Sequence, residues 1–156
     1  MRRQMVRLIL AMVLVAVTLG AAMVLSADYS RSPDPKTGFK IVSAKVRQDE
    51  SFFWVELYTE KVGELEHDLR KPVRLVTADG KEHRAADTTF AGTPADGFTE
   101  IWYKFWLEKE DLEQALSLKI NDGVLVVKAG SGLPDLDKHG EAVFKSENWS
   151  KSWLGF

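Results

Sequence analysis

Histidines with acidic neighbours are the residues of this sequence whose types could bind a metal. His67 lies in the acidic segment 64–68, His83 directly follows a glutamate, and His139 lies close to two aspartates. Imidazole and carboxylate groups together suit zinc or copper if the fold brings them to one place. Nothing in the spacing of the three histidines requires a shared site. The sequence therefore predicts no metal and no cofactor, and a metal-dependent enzyme or metal-binding protein is kept as the third hypothesis.

The segment DLDKHGE (residues 135–141) resembles the first half of a calcium-binding loop, except that His139 replaces the oxygen ligand at the fifth position. Asp135, Asp137 and Gly140 stand at the first, third and sixth positions, where such a loop needs oxygen ligands and a sharp turn. The twelfth position, which requires a bidentate glutamate, is Ser146. A plain turn built on Asp and Gly is the favoured interpretation, with weak calcium binding as the alternative.

Signatures of covalent and acid–base catalysis are missing from the sequence. The chain contains no cysteine, which excludes thiolate nucleophiles, disulfide bonds, cysteine-ligated zinc and iron–sulfur clusters. It has no nucleophile elbow, no phosphate-binding glycine loop and no paired-histidine metalloprotease helix. No pair of carboxylates stands out on an otherwise apolar strand, where burial would raise the pKa of a general acid. The sequence predicts that the protein is not an enzyme.

The distribution of charge argues against a nucleic-acid partner. The chain has 156 residues and a net charge of −2, and its first 27 residues hold three arginines and no acid. The remainder therefore has 18 basic against 23 acidic side chains. Binding to nucleic acids depends on a basic face that neutralises phosphates, which this composition does not provide.

The stretch FTEIWYKFWL (residues 98–107) carries five aromatic rings in ten residues. Aromatic enrichment favours a strand, in which alternate side chains point to opposite faces. One face is almost entirely apolar and is expected in the core: Ile101, Tyr103, Phe105 and Leu107. The other face mixes rings with charges: Phe98, Glu100, Trp102, Lys104 and Trp106.

An earlier stretch, SFFWVELYTE (residues 51–60), alternates in the same way. One of its faces repeats the mixture of rings and charges: Phe52, Trp54, Glu56, Tyr58 and Glu60. If the two strands share a sheet, the two mixed faces form one surface that can bind a protein partner or a carbohydrate. The candidate binding residues on this surface are Trp54, Tyr58, Trp102 and Trp106. The alternative is that apolar residues of the C-terminal tail cover the rings: Trp149, Trp153, Leu154 and Phe156.

Two hairpins and one brief helix are predicted around these strands. The dipeptide DG supplies the turn of a hairpin over residues 73–85, whose polar second arm is typical of an edge strand. The tripeptide NDG supplies the turn of another hairpin over residues 116–128, and residues 108–115 predict a short helix. Strands at this spacing favour an all-β fold, an antiparallel β-sandwich of the immunoglobulin-like type or a small barrel.

The first 27 residues predict one hydrophobic helix that is either a membrane anchor or a signal peptide. Three arginines precede an uncharged segment from Leu8 to Ala27, about the 30 Å that a helix needs to cross a bilayer core. The arginines predict that the N-terminus stays in the cytoplasm and that the rest is translocated. Signal peptides usually have a shorter apolar core, which favours the anchor, whereas cleavage near Asp28 would give a secreted protein.

These observations divide the chain into four segments: residues 1–27 as anchor or signal peptide, 28–37 as a linker, 38–130 as the β domain, and 131–156 as a C-terminal extension with at most one last strand. The function predicted from the sequence is a non-enzymatic interaction module, held in the cytoplasmic membrane with its domain in the periplasm or outside the cell. Its aromatic and charged face is expected to bind a protein partner of the cell envelope. A β domain that binds carbohydrate or another small ligand is the alternative.

Overall fold

The computed structural model describes residues 2–25, 29 and 33–149. Over these residues the chain is mostly β, with two antiparallel sheets preceded by one N-terminal helix, which confirms the prediction at this level. The elements are α1 (Arg2–Leu25), β1 (Phe39–Asp49), β2 (Phe52–Lys61), β3 (Arg74–Thr77), β4 (Glu82–Arg84), β5 (Asp87–Thr93), β6 (Gly97–Glu108), α2 (Lys109–Leu112), β7 (Leu116–Ile120), β8 (Gly123–Lys128) and β9 (Glu141–Phe144). Within the described residues, none of the helices reaches both the length and the mean hydropathy of a membrane-crossing segment.

The first sheet has the strand order β5-β6-β2-β1-β9, and the second has the order β4-β3-β7-β8. Each sheet ends in two edge strands. Over the described residues neither sheet is closed, so the small-barrel alternative is wrong. The polar strand β4 is an edge strand, as the sequence predicts, and its charged side chains discourage pairing with another chain.

The apolar faces of the two sheets contribute to one buried core. Its largest fully buried side chains come from both sheets: Phe39, Leu57, Tyr103, Phe105 and Leu107 from the first, and Leu75, Leu116, Leu118 and Ile120 from the second. Burial of each such side chain stabilises the fold by about 1.5–3 kcal/mol. The four residues of the stretch 98–107 that the sequence places in the core are at most 1% exposed, which confirms that prediction.

Tyr29 and Trp149 connect the two ends of the described domain. The indole Nε1 of Trp149 donates a hydrogen bond to the hydroxyl of Tyr29 at 2.6 Å, and both side chains are buried in the core. Burial raises the pKa of Tyr29 above its ordinary value. Thr37 is also buried. Tyr29 and Thr37 belong to the segment predicted as a linker. Because both side chains are buried, these two residues of that segment pack on the β domain.

Lys128, at the end of β8, binds three carbonyl oxygens in two other segments of backbone. Its ammonium group donates hydrogen bonds to the carbonyl oxygens of Leu112 at 2.5 Å, Gln114 at 3.2 Å and Gly132. The side chain is only 3% exposed. Buried carbonyl groups need donors, so this single cation holds the segment after α2 against the chain that follows β8.

We expect Lys128→Met to lower the free energy of unfolding by about 1–3 kcal/mol. Methionine keeps the apolar stem but leaves the three carbonyl oxygens without the ammonium donor. Chemical denaturation followed by circular dichroism measures the difference. Lys138→Met, at an exposed turn position, is the matched control and is expected to change the free energy by less than about 0.5 kcal/mol. An equal effect of the two variants would contradict this role of Lys128.

Lys128 also predicts a dependence of stability on pH. Burial lowers the pKa of Lys128 to about 8, below the value of about 10.4 for an unfolded lysine. Between these values the unfolded chain binds more protons than the folded chain, so stability increases with pH. We therefore expect the difference in unfolding free energy between the wild type and Lys128→Met to be larger near about pH 10 than near about pH 8. A difference that is constant or smaller at the higher pH would show that the pKa is not lowered.

Candidate functional site

The four candidate aromatic residues lie on one face of the first sheet, because β2 and β6 are neighbouring strands. Trp54 lies directly opposite Trp106, and Tyr58 lies directly opposite Trp102. Residues that are opposite each other point to the same face, and the residues that alternate with these four are buried. We call this surface, which points away from the core, the outer face. The structure brings all four residues together.

The outer face is organised in rows that run across the strands. Residues two apart along a strand are separated by about 6.8 Å, which sets the spacing of the rows. Along β2 the successive rows are Arg47 with Trp54 and Trp106, Lys45 with Glu56 and Lys104, Ser43 with Tyr58 and Trp102, and Lys40 with Glu60 and Glu100. Rows of rings thus alternate with rows of charges.

Trp106 is the most exposed ring of the outer face, with 52% of its surface exposed. Its ring stacks on Trp54, with centroids 5.8 Å apart and planes at 17°, and the Phe52 ring lies 4.5 Å away. The pairing of β5 with β6 reaches only from Thr93 to Asp87, which lies opposite Lys104. Among the described residues no strand flanks Trp106 on that side, so the ring stays accessible.

Tyr58 and Trp102 form a second stack, with centroids 4.9 Å apart and planes at 11°. The hydroxyl of Tyr58 lies 2.7 Å from Glu100 Oε1 and 2.8 Å from Glu60 Oε1. A phenol has one proton and donates it to one carboxylate at a time. The hydrogen bond to Glu100, then burial, then the bond to Glu60 raise the pKa of Tyr58 above its ordinary value. This end of the outer face carries two carboxylates and one ammonium group, because Lys40 lies 3.5 Å from Glu60.

A groove of about 110 Å³ opens beside the ring of Trp54. Lys45, Arg47, Glu56 and Lys104 line the rest of it. The ammonium group of Lys104 lies 4.9 Å from the centroid of the Trp54 ring, within the range of a cation–π interaction. The groove therefore combines one aromatic wall with three cationic side chains and one acidic side chain. Sequence reasoning missed Lys45 and Arg47, which β1 contributes.

Neighbouring carboxylates hold part of the groove in place. Trp54 Nε1 donates a hydrogen bond to Asp49 Oδ2 at 3.0 Å, and Lys45 Nζ lies 3.4 Å from Glu141 Oε2. Arg47 has no ion pair or side-chain hydrogen bond within the described part of the chain. Its guanidinium group is exposed beside the groove.

Trp149 does not cover the outer face. Its ring stacks on Phe144, with centroids 4.8 Å apart, and it is 3% exposed within the core. The prediction that Trp149 covers the rings is therefore wrong, because its contacts are made on the core side of the sheet. Trp153, Leu154 and Phe156, the other members of the expected cover, lie outside the described residues.

Phe98, which the sequence places on the outer face, lies on the other side of the sheet. The pairing of β5 with β6 skips Thr99, between Glu100 and Phe98. An extra residue of this kind is a β-bulge, and it reverses the alternation of the strand. The Phe98 ring lies 4.6 Å from Phe90, which is directly opposite the buried residue Ile101.

The three histidines lie in three different environments. His67 stacks on Phe90 with ring centroids 5.9 Å apart, and burial lowers its pKa. His83 Nε2 lies 3.3 Å from the buried Asp111 Oδ2, while His139 is exposed in a turn. Over the described residues, no group of three or more His, Asp or Glu side chains lies close enough to hold a metal ion.

The segment 135–141 forms a turn around Asp137. The carboxylate of Asp137 accepts hydrogen bonds from the backbone N–H groups of Glu141 at 3.0 Å and His139 at 2.8 Å. These two bonds hold the pKa of Asp137 below its ordinary value. In a calcium loop Asp137 would be the second ligand. Here one of its carboxylate oxygens accepts both backbone hydrogen bonds of the turn, as the plain-turn interpretation predicts.

Comparison with known proteins adds no functional assignment. No family model matches the chain, and neither a curated protein nor a solved structure is significantly similar to it.

The difference in exposure between Trp106 and Trp149 predicts a difference in quenching. We expect Trp106→Phe to reduce the fraction of tryptophan fluorescence that iodide quenches, because it removes an indole that is 52% exposed. Trp149→Phe is the matched control and is expected to increase that fraction, because it removes a buried emitter that is 3% exposed. Stern–Volmer titration of the folded variants measures both fractions. The opposite order would show that Trp106 is covered in solution.

Proposed function

We propose that this chain is a non-enzymatic interaction module whose outer face binds a protein partner in the cell envelope. The observation that carries the proposal is the half-exposed Trp106 ring, held beside Trp54 and Phe52. Tryptophan and tyrosine are common anchors of protein interfaces, because each combines a large apolar area with a polar edge. When a partner binds to such exposed rings, water is displaced from their apolar surface, which favours binding.

The proposed architecture is an antiparallel β-sandwich of the immunoglobulin-like type. It is supported by the contribution of both sheets to one core and by the antiparallel order of each sheet. In a sandwich of this kind the inner faces are filled by alternate residues, and the outer faces are free to carry a site. The aromatic rows belong to such an outer face.

The proposed location is the cytoplasmic membrane, with the N-terminus in the cytoplasm and the β domain outside. It is supported by the sequence, in which three arginines precede a segment without charge from Leu8 to Ala27. Under this proposal residues 8–27 hold the domain at the membrane, and cleavage of the segment would release it as a secreted protein.

The stacking of the rings favours a protein over a carbohydrate. A sugar ring packs flat on an open aromatic face, whereas Trp54 and Tyr58 each already stack on a neighbouring indole, at 17° and 11°. The row of Glu56 and Lys104, between the two stacks, can form ion pairs with charged side chains of a protein. A carbohydrate-binding domain remains the second candidate, supported by the unflanked side of Trp106.

We expect Trp106→Ala to reduce recovery of the partner by about tenfold or more, since an aromatic anchor contributes about 2 kcal/mol or more to an interface. The full chain, carrying an affinity tag, is used to pull down proteins from solubilised membranes of the native organism. Phe98→Ala is the matched control, because Phe98 is 37% exposed on the other side of the sheet, and it is expected to recover the partner as the wild type does.

Circular dichroism confirms that both variants are folded before the comparison is made. Equal recovery by the wild type and Trp106→Ala would contradict the proposal. Retention of the wild type on immobilised polysaccharide, lost in Trp106→Ala, would support the carbohydrate alternative instead.

A further inference from the structure

We propose that the groove beside Trp54 binds the carboxylate of an acidic side chain in an extended peptide segment of the partner. This inference rests on the proposed function, because it identifies the chemistry of the partner at the same outer face. It concerns the cationic side chains around the groove, Lys45, Arg47 and Lys104, rather than the rings.

The charge around the groove favours an anion. Three cationic side chains and one carboxylate, Glu56, line it. Lys45 already lies 3.4 Å from Glu141, whereas Arg47 has no ion pair within the described residues. Lys104 is directly opposite Glu56 in the register, but its ammonium group lies over the Trp54 ring. An arriving carboxylate therefore finds two cationic groups at the groove: the Arg47 guanidinium, which has no ion pair among the described residues, and the Lys104 ammonium over the Trp54 ring.

The size of the groove suits a side chain rather than a whole small molecule. Its volume is about 110 Å³, while pockets for drug-sized ligands have roughly 300–1,000 Å³. The Trp54 wall can pack against the methylene groups of a glutamate or aspartate. The guanidinium group of Arg47 can donate two parallel hydrogen bonds to the carboxylate, the geometry that makes arginine well suited to this group.

The spacing of the rows predicts what lies beside the acidic residue. Side chains two apart in an extended chain are separated by about 6.8 Å, the same distance as the rows of the outer face. A peptide that places its acid over the row of Glu56 and Lys104 therefore brings the residues two positions away to the row of Trp54 and Trp106 and to the row of Tyr58 and Trp102. These positions suit apolar side chains, so the expected pattern is apolar, any, acidic, any, apolar.

The acidic end of the outer face gives the peptide a direction. Glu60 and Glu100 lie directly opposite each other beyond the Tyr58 row, and both approach the Tyr58 hydroxyl. Lys40 forms an ion pair with Glu60 at 3.5 Å, so Glu100 is the carboxylate of this row that has no ion pair among the described residues. A second acid on the peptide would be repelled at that end, where like charges meet. A cationic side chain is preferred there, which distinguishes the two orientations of the peptide.

The inference is tested with the synthetic peptide Ser-Leu-Ser-Glu-Ser-Leu-Ser, blocked at both ends, and with the same peptide carrying glutamine in place of glutamate. Binding to the full chain in detergent is followed by the NMR signals of the Trp54 and Trp106 indole N–H groups. We expect the glutamate peptide to shift both signals and to bind about tenfold or more tightly than the glutamine peptide at low ionic strength. Raising the salt concentration should weaken this preference.

The double variant Arg47→Gln, Lys104→Gln removes both charges without placing a second acid beside Glu56. It is expected to lose the preference for glutamate. The matched control Arg84→Gln, Lys138→Gln removes two exposed cations outside the groove and is expected to keep it. Absence of binding, equal binding of the two peptides, or an unchanged preference in the Arg47 and Lys104 variant would overturn the inference.

Partner recovery separates this inference from the proposed function. If recovery from membranes depends on Trp106 but not on Arg47 and Lys104, the protein-binding face stands and the acidic peptide is wrong. If recovery depends on none of the three residues, both proposals fail.

Discussion

The antiparallel register of β2 and β6 is the constraint on which the core and the outer face both depend. The two strands pair without interruption from Phe52 opposite Glu108 to Glu60 opposite Glu100. A shift by one residue would turn every side chain of one strand to the other face. It would expose Val55 and Leu57, which are fully buried, and would move tryptophans into the core. The apolar contacts of the core therefore hold the rings of the outer face in their stacks.

Period-two alternation predicts both faces of β2 and β6 because the charged residues Glu56, Glu60, Glu100 and Lys104 all fall on the face opposite the buried one. The alternation fails at Phe98, where a β-bulge changes the face. At the bulge the two strands of the hairpin approach closely, since a Cβ atom at Gly92 would lie 1.9 Å from the carbonyl oxygen of Gly97, and the alternation within β6 does not reveal it. The strand β5 has a polar, threonine-rich sequence, and it becomes a strand through its pairing with β6 rather than through its own hydrophobic pattern.

The cationic part of the site could not be predicted for a different reason. Lys45 and Arg47 belong to the polar face of β1, and in the sequence they look like ordinary solvated residues. Only the strand order, which places β1 beside β2, brings Arg47 opposite Trp54. The position of Trp149 likewise depends on Tyr29, a residue 120 positions earlier in the chain. Long-range partners of this kind leave no signal in the local sequence.

Cross-strand stacking also determines how this face can bind. Each stacked ring is restricted by its neighbour: Trp54 also donates to Asp49, and Tyr58 hydrogen-bonds carboxylates at its hydroxyl. Side chains that are ordered before binding lose little rotamer freedom when a partner arrives. The inner faces of the same strands are packed in the core, so movement of the rings would disturb buried contacts. The outer face is therefore expected to bind as a rigid, preorganised surface, and its selectivity must come from the charges between the rings.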